Sequence, residues 1–167
     1  IYQNPRRGRQ EAGASSYPAY LDMAAYDSLF EETAAFTMPL PMPTKVGDVI
    51  RTGLVEFATS SYLTLLGRPL ALGRWFDARE DREGGDAVAV IGHETWRRRF
   101  GASPAVIGMS MQVDTVPVTV IGVGPENHNS SLVSGVVTDI WLSLSVLPLL
   151  DAAGPDPLTR GVFEAPF

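Results

Sequence analysis

The sequence predicts an α+β fold, with a mixed, largely antiparallel β-sheet and short helices. Two observations favour this class. Short apolar segments are joined by turn residues, as in the pair Ser110–Val113 and Pro117–Val123 across Asp114-Thr115, which is typical of a β-hairpin. Between such segments lie brief helical patterns that each end at a glycine.

The first predicted elements are a helix and a proline-rich strip. Residues 1–15 are polar and are expected to form a tether. Apolar residues at helical spacing predict a helix over Tyr17–Leu29, with Ser15 or Ser16 able to cap its first turn. Phe36–Pro43 alternates apolar residues with prolines, which cannot donate to a sheet ladder. This segment is therefore predicted to be an edge strand or a polyproline-like strip.

A strand and a short helix are predicted next. The strand covers Val49–Ala58. Three of its residues are expected to face the core: Ile50, Leu54 and Phe57. The helix covers Ser61–Leu66, begins after Thr59 or Ser60 as a cap, and ends at Gly67.

The second half of the chain is predicted to contain a buried strand, a helix and a final strand. Ala87–Ile91 is wholly apolar, which is typical of a strand that is buried on both faces. The helix covers Glu94–Phe100, and its Trp96 and Phe100 share one face at a spacing of one turn, so both are expected to pack on the core. Thr138–Leu144 is predicted to be the last strand.

Composition excludes several classes of function. The chain has 167 residues and a net charge of −6, whereas a general nucleic-acid binder needs basic residues to neutralise phosphates. It has no cysteine, which excludes disulfides, thiol catalysis and thiolate metal sites. No apolar run reaches the roughly 18–20 residues that span a bilayer.

Histidines and acidic residues offer little chemistry. His93 is interpreted as a polar residue at the start of a helix, because no second His or Asp lies at metal-ligand spacing from it. His128 could bind a ligand, but an exposed loop residue is the preferred interpretation. The acidic segment 77–86 lacks the alternating pattern of a calcium loop and is interrupted by Arg79 and Arg82, so a solvated loop is favoured. The sequence thus predicts no catalytic, cofactor-binding or metal-binding residues.

The run Arg97-Arg98-Arg99 suggests anion binding at first sight. Because successive helical residues point in different directions, a solvated face with salt bridges is the preferred interpretation. The sequence contains no Gly-x-Ser-x-Gly elbow, phosphate-binding loop or dinucleotide fingerprint. We therefore expect that the protein is not an enzyme. A hydrolase would require a serine and a carboxylate to meet one of the histidines.

An ordered series of motifs resembles the MacB-like periplasmic domain of ABC-transporter permeases. The series covers about residues 15–145. Its main members are Ser61–Gly67, Arg68–Phe76, Val88–His93, Trp96–Gly101, Pro104–Gly108, Val118–Val123 and Asp139–Leu144. The resemblance implies a β-rich subdomain, called the sabre, inserted in a porter-like α/β subdomain. It assigns residues 16–45 to part of the porter, 46–145 to the sabre and 146–167 to a Pro/Gly-rich tail.

The same resemblance implies a function without chemistry in this domain. It suggests an extracytoplasmic domain, at the periplasmic face of a bacterial inner membrane, that couples cytoplasmic ATP hydrolysis to export or to mechanical signalling. The implied partners are a second permease subunit, a cytoplasmic ABC ATPase reached through the membrane region, and an adaptor or cargo, with no cofactor and no nucleic acid. The alternative is a stand-alone module that binds a small ligand or peptide in a concave pocket.

Overall fold

A computed structural model describes residues 34–126 and 135–150 of the chain. The strands are β1 (Leu40–Val46), β2 (Val49–Ala58), β3 (Leu72–Gly73), β4 (Val88–Ile91), β5 (Ser110–Val113), β6 (Val116–Val123) and β7 (Ile140–Ser143). The helices are α1 (Tyr62–Leu66), α2 (His93–Phe100) and α3 (Leu147–Leu150), with 3-10 turns at Pro104–Val106 and Leu144–Val146.

The strands form one mixed sheet in which most pairings are antiparallel. Among the strands of the described residues, only the pairs β2–β7 and β4–β6 are parallel. Starting at β6, the pairings run through β4, β7, β2, β1 and β5, and β5 pairs again with β6. The six strands therefore make a closed ring of pairings, while β3 adds to β6 from outside the ring. The mixed, largely antiparallel sheet with short helices confirms the predicted fold class.

Each central strand of the ring is buried on both faces because the two faces pack against different groups. Side chains alternate across a strand, so neighbouring residues enter different clusters. One face contributes to the main core of the ring, whose strand residues include Val55, Phe57, Ala89, Ile91, Ile140 and Leu142. The other face packs against α1 and an aromatic cluster that contains Tyr62, Phe76 and Trp141. This two-sided burial explains why β4 is wholly apolar.

Local signals located most elements. The β1–β2 hairpin turns at Gly47-Asp48, and the β5–β6 hairpin turns at Asp114, which has a positive φ of 52°. α1 ends at Gly67 and α2 ends at Gly101, both in the left-handed conformation that favours glycine. These boundaries confirm the predicted hairpin and the predicted helix ends.

Some predicted details are wrong. Ile50 was expected in the core but is 66% exposed, since it lies near the turn of the β1–β2 hairpin and on the face opposite Val55 and Phe57. The N-cap position of α1 is Ser61, and not Thr59 or Ser60. The proline-rich strip is a strand only from Leu40 onwards, where it pairs with β2.

Several predictions lie outside the described residues. These include the tether at 1–15, the helix at Tyr17–Leu29, His128, and residues 151–167 of the tail. The first residues of that tail are helical, since α3 ends at Leu150. The subdomain boundary expected between residues 45 and 46 falls inside β1, and the division into porter and sabre parts stays a prediction.

Candidate binding groove

A groove lies between the β1–β2 hairpin and helix α2. We call it the hairpin groove, and its volume is about 390 Å³. Its lining residues are Val46, Val49, Arg51, Thr95, Arg98, Arg99, Phe100 and Asp139. A second depression of about 400 Å³ shares Thr95, Arg98 and Asp139 with it and extends the concave surface towards Gly135–Val137. Together the two make an elongated surface that follows α2.

The groove continues the core-facing stripe of β2 beyond the core. Alternation along the strand places Val49, Arg51 and Gly53 on the same face as Val55 and Phe57. The last two are fully buried in the main core, whereas Val49 is 53% exposed. The groove is therefore at the mouth of the closed ring of strands, a position where binding sites of β-barrels are commonly found.

Gly53 lies next to Thr44 and Asp139, on the same face of β2 as Val49 and Arg51. A Cβ atom at this position would stand 3.1 Å from Cγ2 of Thr44 and 3.7 Å from Cβ of Asp139. A larger side chain would therefore push into the space between the hairpin and the start of β7.

A threonine joins the two sides of the groove. Thr44 is fully buried on β1, and its hydroxyl donates to the backbone carbonyl of Arg51 at 3.0 Å. The same hydroxyl accepts a hydrogen bond of 3.0 Å from Nη1 of Arg99 on α2. This chain of hydrogen bonds fixes the guanidinium of Arg99 against the hairpin.

Asp139 fixes the remaining wall. One of its oxygens accepts from the backbone N–H of Leu54 at 2.9 Å, and the other accepts from the hydroxyl of Thr95. The backbone N–H of Asp139 donates to the carbonyl of Leu54 at 2.8 Å. The carboxylate thus links β2, the entry to β7 and α2, and both of its oxygens are occupied.

The groove carries excess positive charge. Burial lowers the pKa of Arg99, the charge of Arg51 lowers it further, and Asp139 opposes both effects. Arg98 forms an exposed ion pair of 3.4 Å with Glu94, one helical turn earlier. Within residues 34–126 and 135–150, neither Arg51 nor Arg99 has a carboxylate at ion-pair distance.

A buried carboxyl group lies on the opposite face of β2. Glu56 is fully buried and accepts hydrogen bonds from the hydroxyls of Tyr62 at 2.9 Å and Thr138 at 2.6 Å. Burial raises its pKa, while its hydrogen bonds with Thr138, Tyr62 and Trp141 act in the opposite direction. The three partners come from α1 and from β7 with the segment before it, so the group ties these parts together.

The acidic segment 77–86 is not simply a solvated loop. Glu80 is 8% exposed, and Arg74 binds both of its oxygens, at 2.6 and 2.8 Å. Asp81 accepts from the hydroxyl of Ser143 at 2.5 Å and from the N–H of Ser60 at 2.6 Å. Arg79 pairs with Asp77 as an exposed contact. The loop is anchored through Glu80 and Asp81 to neighbouring elements.

The other residues that the sequence singled out are not brought together. His93 begins α2 with its ring 5.6 Å from that of Trp96, and Arg97 is exposed on the same helix. In the part of the chain that the structure describes, no three His, Cys, Asp or Glu side chains form a cluster that could hold a metal ion. None of the helices in the same part is long and apolar enough to cross a membrane. The sequence did not predict that Arg51 and Arg99 line the same groove, because no sequence signal links the two positions.

The fold is shared with a periplasmic region of known structure. The periplasmic region of MacB from Actinobacillus actinomycetemcomitans superposes with a TM-score of 0.63, over 90% of this chain and 64% of that chain. Sequence identity in this comparison is 17%, so the likeness concerns the fold alone.

Sequence comparison defines the family. Residues 1–159 match the MacB-like periplasmic core domain, and the chain belongs to this family. The "Probable export ATP-binding/permease protein MacB" of Pseudomonas entomophila is 35% identical over 95 residues, which are 57% of this chain and 13% of that protein. The "Pyoverdine export ATP-binding/permease protein PvdT" of Pseudomonas aeruginosa is 32% identical over 97 residues, 54% of this chain and 14% of that protein. The chain thus matches only a small part of the length of these two relatives.

Proposed function

We propose that the chain is the extracytoplasmic domain of an ABC-transporter permease and that it couples cytoplasmic ATP hydrolysis to export or to mechanical signalling. The observation that carries this proposal is the family match over residues 1–159. Relatives whose names describe export proteins with ATP-binding and permease parts support it. In this function the domain performs no chemistry and acts through contacts with a second permease subunit and with an adaptor or cargo.

The architecture suits a part that transmits force. The ring of strands is closed by hydrogen bonds, and its central strands are buried on both faces. Packed interiors resist compression and move as units rather than deforming continuously. Such a body can pass a displacement from its connections with the membrane to a distant surface.

Its location can be tested with a single cysteine, because the chain contains none. Glu83 is an exposed loop residue, so Glu83→Cys provides one reactive site in the chain. In intact cells that express the parent protein, on a background without other reactive cysteines, a maleimide that cannot cross the inner membrane should label this site. Labelling that requires disruption of the inner membrane would place the domain in the cytoplasm and refute the proposal.

Coupling can be tested by removing the domain from the parent permease. Residues 34–150 are replaced by a flexible Gly/Ser linker, and ATP hydrolysis and export are both measured in proteoliposomes. We expect export to be lost while ATP hydrolysis persists, because the cytoplasmic ATPase remains intact. The point variant Arg79→Gln, at an exposed loop position, serves as a control that retains both activities. Export at the control rate without the domain would contradict the proposed coupling.

A further inference from the structure

We propose that the hairpin groove docks an acidic segment of a partner protein. Carboxylates of the segment would meet Arg51 and Arg99, and an apolar side chain would pack against Val49 and Phe100. The inference rests on the proposed function, because a domain that works by contact needs a surface that a partner can hold. It adds to that function the place of the contact and the chemistry of the partner.

Charge is the first support for this occupant. The chain as a whole has a net charge of −6, yet three arginines and one aspartate line the groove. The aspartate, Asp139, uses both oxygens for hydrogen bonds to Leu54 and Thr95. Among the described residues, neither Arg51 nor Arg99 has a carboxylate at ion-pair distance, and the lining keeps an excess of positive charge. A carboxylate-bearing segment is complementary to this local reversal of charge.

Preorganisation is the second support. The hydroxyl of Thr44 holds Nη1 of Arg99 while it also binds the carbonyl of Arg51. An arginine that is already ordered loses less side-chain freedom when it binds. Its guanidinium has further N–H groups that can bind a carboxylate, and guanidinium is the side chain best suited to such contacts at interfaces.

Apolar exposure next to the arginines is the third support. Val49 and Ile50 are 53% and 66% exposed at the turn of the β1–β2 hairpin. Their side chains point to opposite faces of the strand, so the tip offers apolar surface on both sides. Val49 lines the groove together with Phe100. Aromatic residues and arginines are enriched in protein interfaces, and Phe100 beside the arginines fits this composition.

The shape favours an extended segment over a small molecule. Small-molecule sites bury most of the surface of the ligand. Here Val49, Arg51 and Arg98 are exposed, so the groove does not enclose its occupant. The second depression continues it along α2 through Thr95 and Asp139. An open, elongated and positively charged surface matches a length of polypeptide.

Binding can be measured with the 167-residue chain and a defined probe. The probe is a short fluorescein-labelled peptide of alternating Leu and Glu, and the matched neutral peptide replaces Glu by Gln. Fluorescence polarisation should detect binding of the acidic peptide. Its affinity should be at least about tenfold greater than that of the neutral peptide, which corresponds to about 1.4 kcal/mol. The affinity should fall as salt is added, because exposed charges are screened.

The site is identified by groove variants, of which Arg51→Gln alone removes one positive charge, as the control Arg97→Gln does. Arg51→Gln combined with Arg99→Gln should weaken binding of the acidic peptide at least about tenfold. Arg97→Gln removes an exposed charge from the same helix without changing the groove lining and should bind like the unmodified chain. Circular dichroism verifies the fold of each variant. The single variant Arg51→Gln, at an exposed position, repeats the test and keeps the hydrogen bond between Arg99 and Thr44.

The outcomes separate this inference from the proposed function. Equal binding of the two peptides, or equal loss in the groove variant and in Arg97→Gln, overturns the docking site. Displacement of the acidic peptide by inorganic phosphate at comparable concentration would show a small-anion site and would also overturn it. The export assay on the parent permease without the domain tests the proposed function separately, since its result does not depend on any groove residue.

Discussion

The carboxyl group of Glu56 accepts a hydrogen bond of 2.9 Å from the hydroxyl of Tyr62, although Glu56 is fully buried. Thr138 donates to its other oxygen at 2.6 Å. Burial raises the pKa of Glu56 above its ordinary value of 4.5. Hydrogen bonds to both oxygens make the burial of this carboxyl group tolerable. Its ionised form is still less favourable than in water, because burial removes the solvation of the charge.

This raised pKa predicts the sign of a pH effect. Folding favours the protonated form of Glu56, so its contribution to stability is fully present below 4.5 and is lost as pH rises through the folded pKa. Glu56→Gln cannot ionise and should show no such loss. The free energy of unfolding of the unmodified chain, minus that of the variant, should therefore fall as pH increases. Urea unfolding at a series of pH values measures the difference, and a constant or rising difference would contradict the prediction.

For Glu80 we expect a pH effect on stability of the opposite sign. The hydrogen bonds from Arg74 lower the pKa of Glu80, so its stabilisation is present above 4.5 and is lost as pH falls through the folded pKa. Glu80→Ala also leaves the backbone N–H of Asp77 without its acceptor. We expect a loss of about 1–3 kcal/mol at neutral pH. Glu83→Ala removes an exposed charge from the same loop and should change the free energy of unfolding by no more than about 0.5 kcal/mol.

The two acidic residues show what sequence patterns could and could not predict. The hairpins and the helix ends were predictable because their causes are local: turn residues, alternation, and glycines with positive φ at Gly67 and Gly101. A glutamate in a strand normally indicates the solvent face. No pattern around Glu56 predicts that the hydroxyls of Thr138 and Tyr62 donate to it. Likewise, Arg79 and Arg82 lie within the acidic loop and were expected to neutralise it. In the structure it is Arg74, which precedes the loop, that binds Glu80.

The groove was unpredictable for the same reason. It depends on the return pairing of β5 with β1, which closes the ring, and on the contact of α2 with the β1–β2 hairpin. The sequence showed the arginines of α2 as a run on one helix, for which a solvated face was the reasonable interpretation. Arg99 acquires its position only through Thr44, far away in the sequence. Long-range contacts of this kind leave no local periodicity.

Gly92 predicts a steric effect at the start of α2. A Cβ atom there would stand 2.3 Å from the carbonyl oxygen of Thr138, which is backbone and cannot rotate away. Gly92→Ala should therefore destabilise the fold by about 1–3 kcal/mol or more, as overpacking does.

Gly47→Ala provides the comparison. Gly47 has a φ of +56° and no atom within 4 Å of the added Cβ, so this change introduces only backbone strain of about 1–2 kcal/mol. Thermal unfolding of the two variants separates the effects. A smaller loss at Gly92 than at Gly47 would show that the start of α2 can move away from the segment before β7.

Removing the charge of Asp139 should increase the affinity of the groove for the acidic peptide. A gain of affinity distinguishes a charge effect from general damage to the groove. The charge of Asp139 opposes the pKa-lowering effects on Arg99 and so competes with any incoming carboxylate. Asp139→Asn keeps the shape and one acceptor for the N–H of Leu54 but removes the negative charge. We expect the variant to bind the Leu/Glu peptide more tightly, by about twofold to tenfold, with a free energy of unfolding lower by about 1–2 kcal/mol.

Fluorescence polarisation and urea unfolding of the same preparation measure both changes. Thr95→Val is the matched control, because it removes the hydroxyl that donates to Asp139 and leaves all charges in place. It should lower stability without increasing affinity. Weaker binding by Asp139→Asn would mean that the carboxylate positions the arginines more than it repels the ligand, and the electrostatic account of the groove would then be wrong.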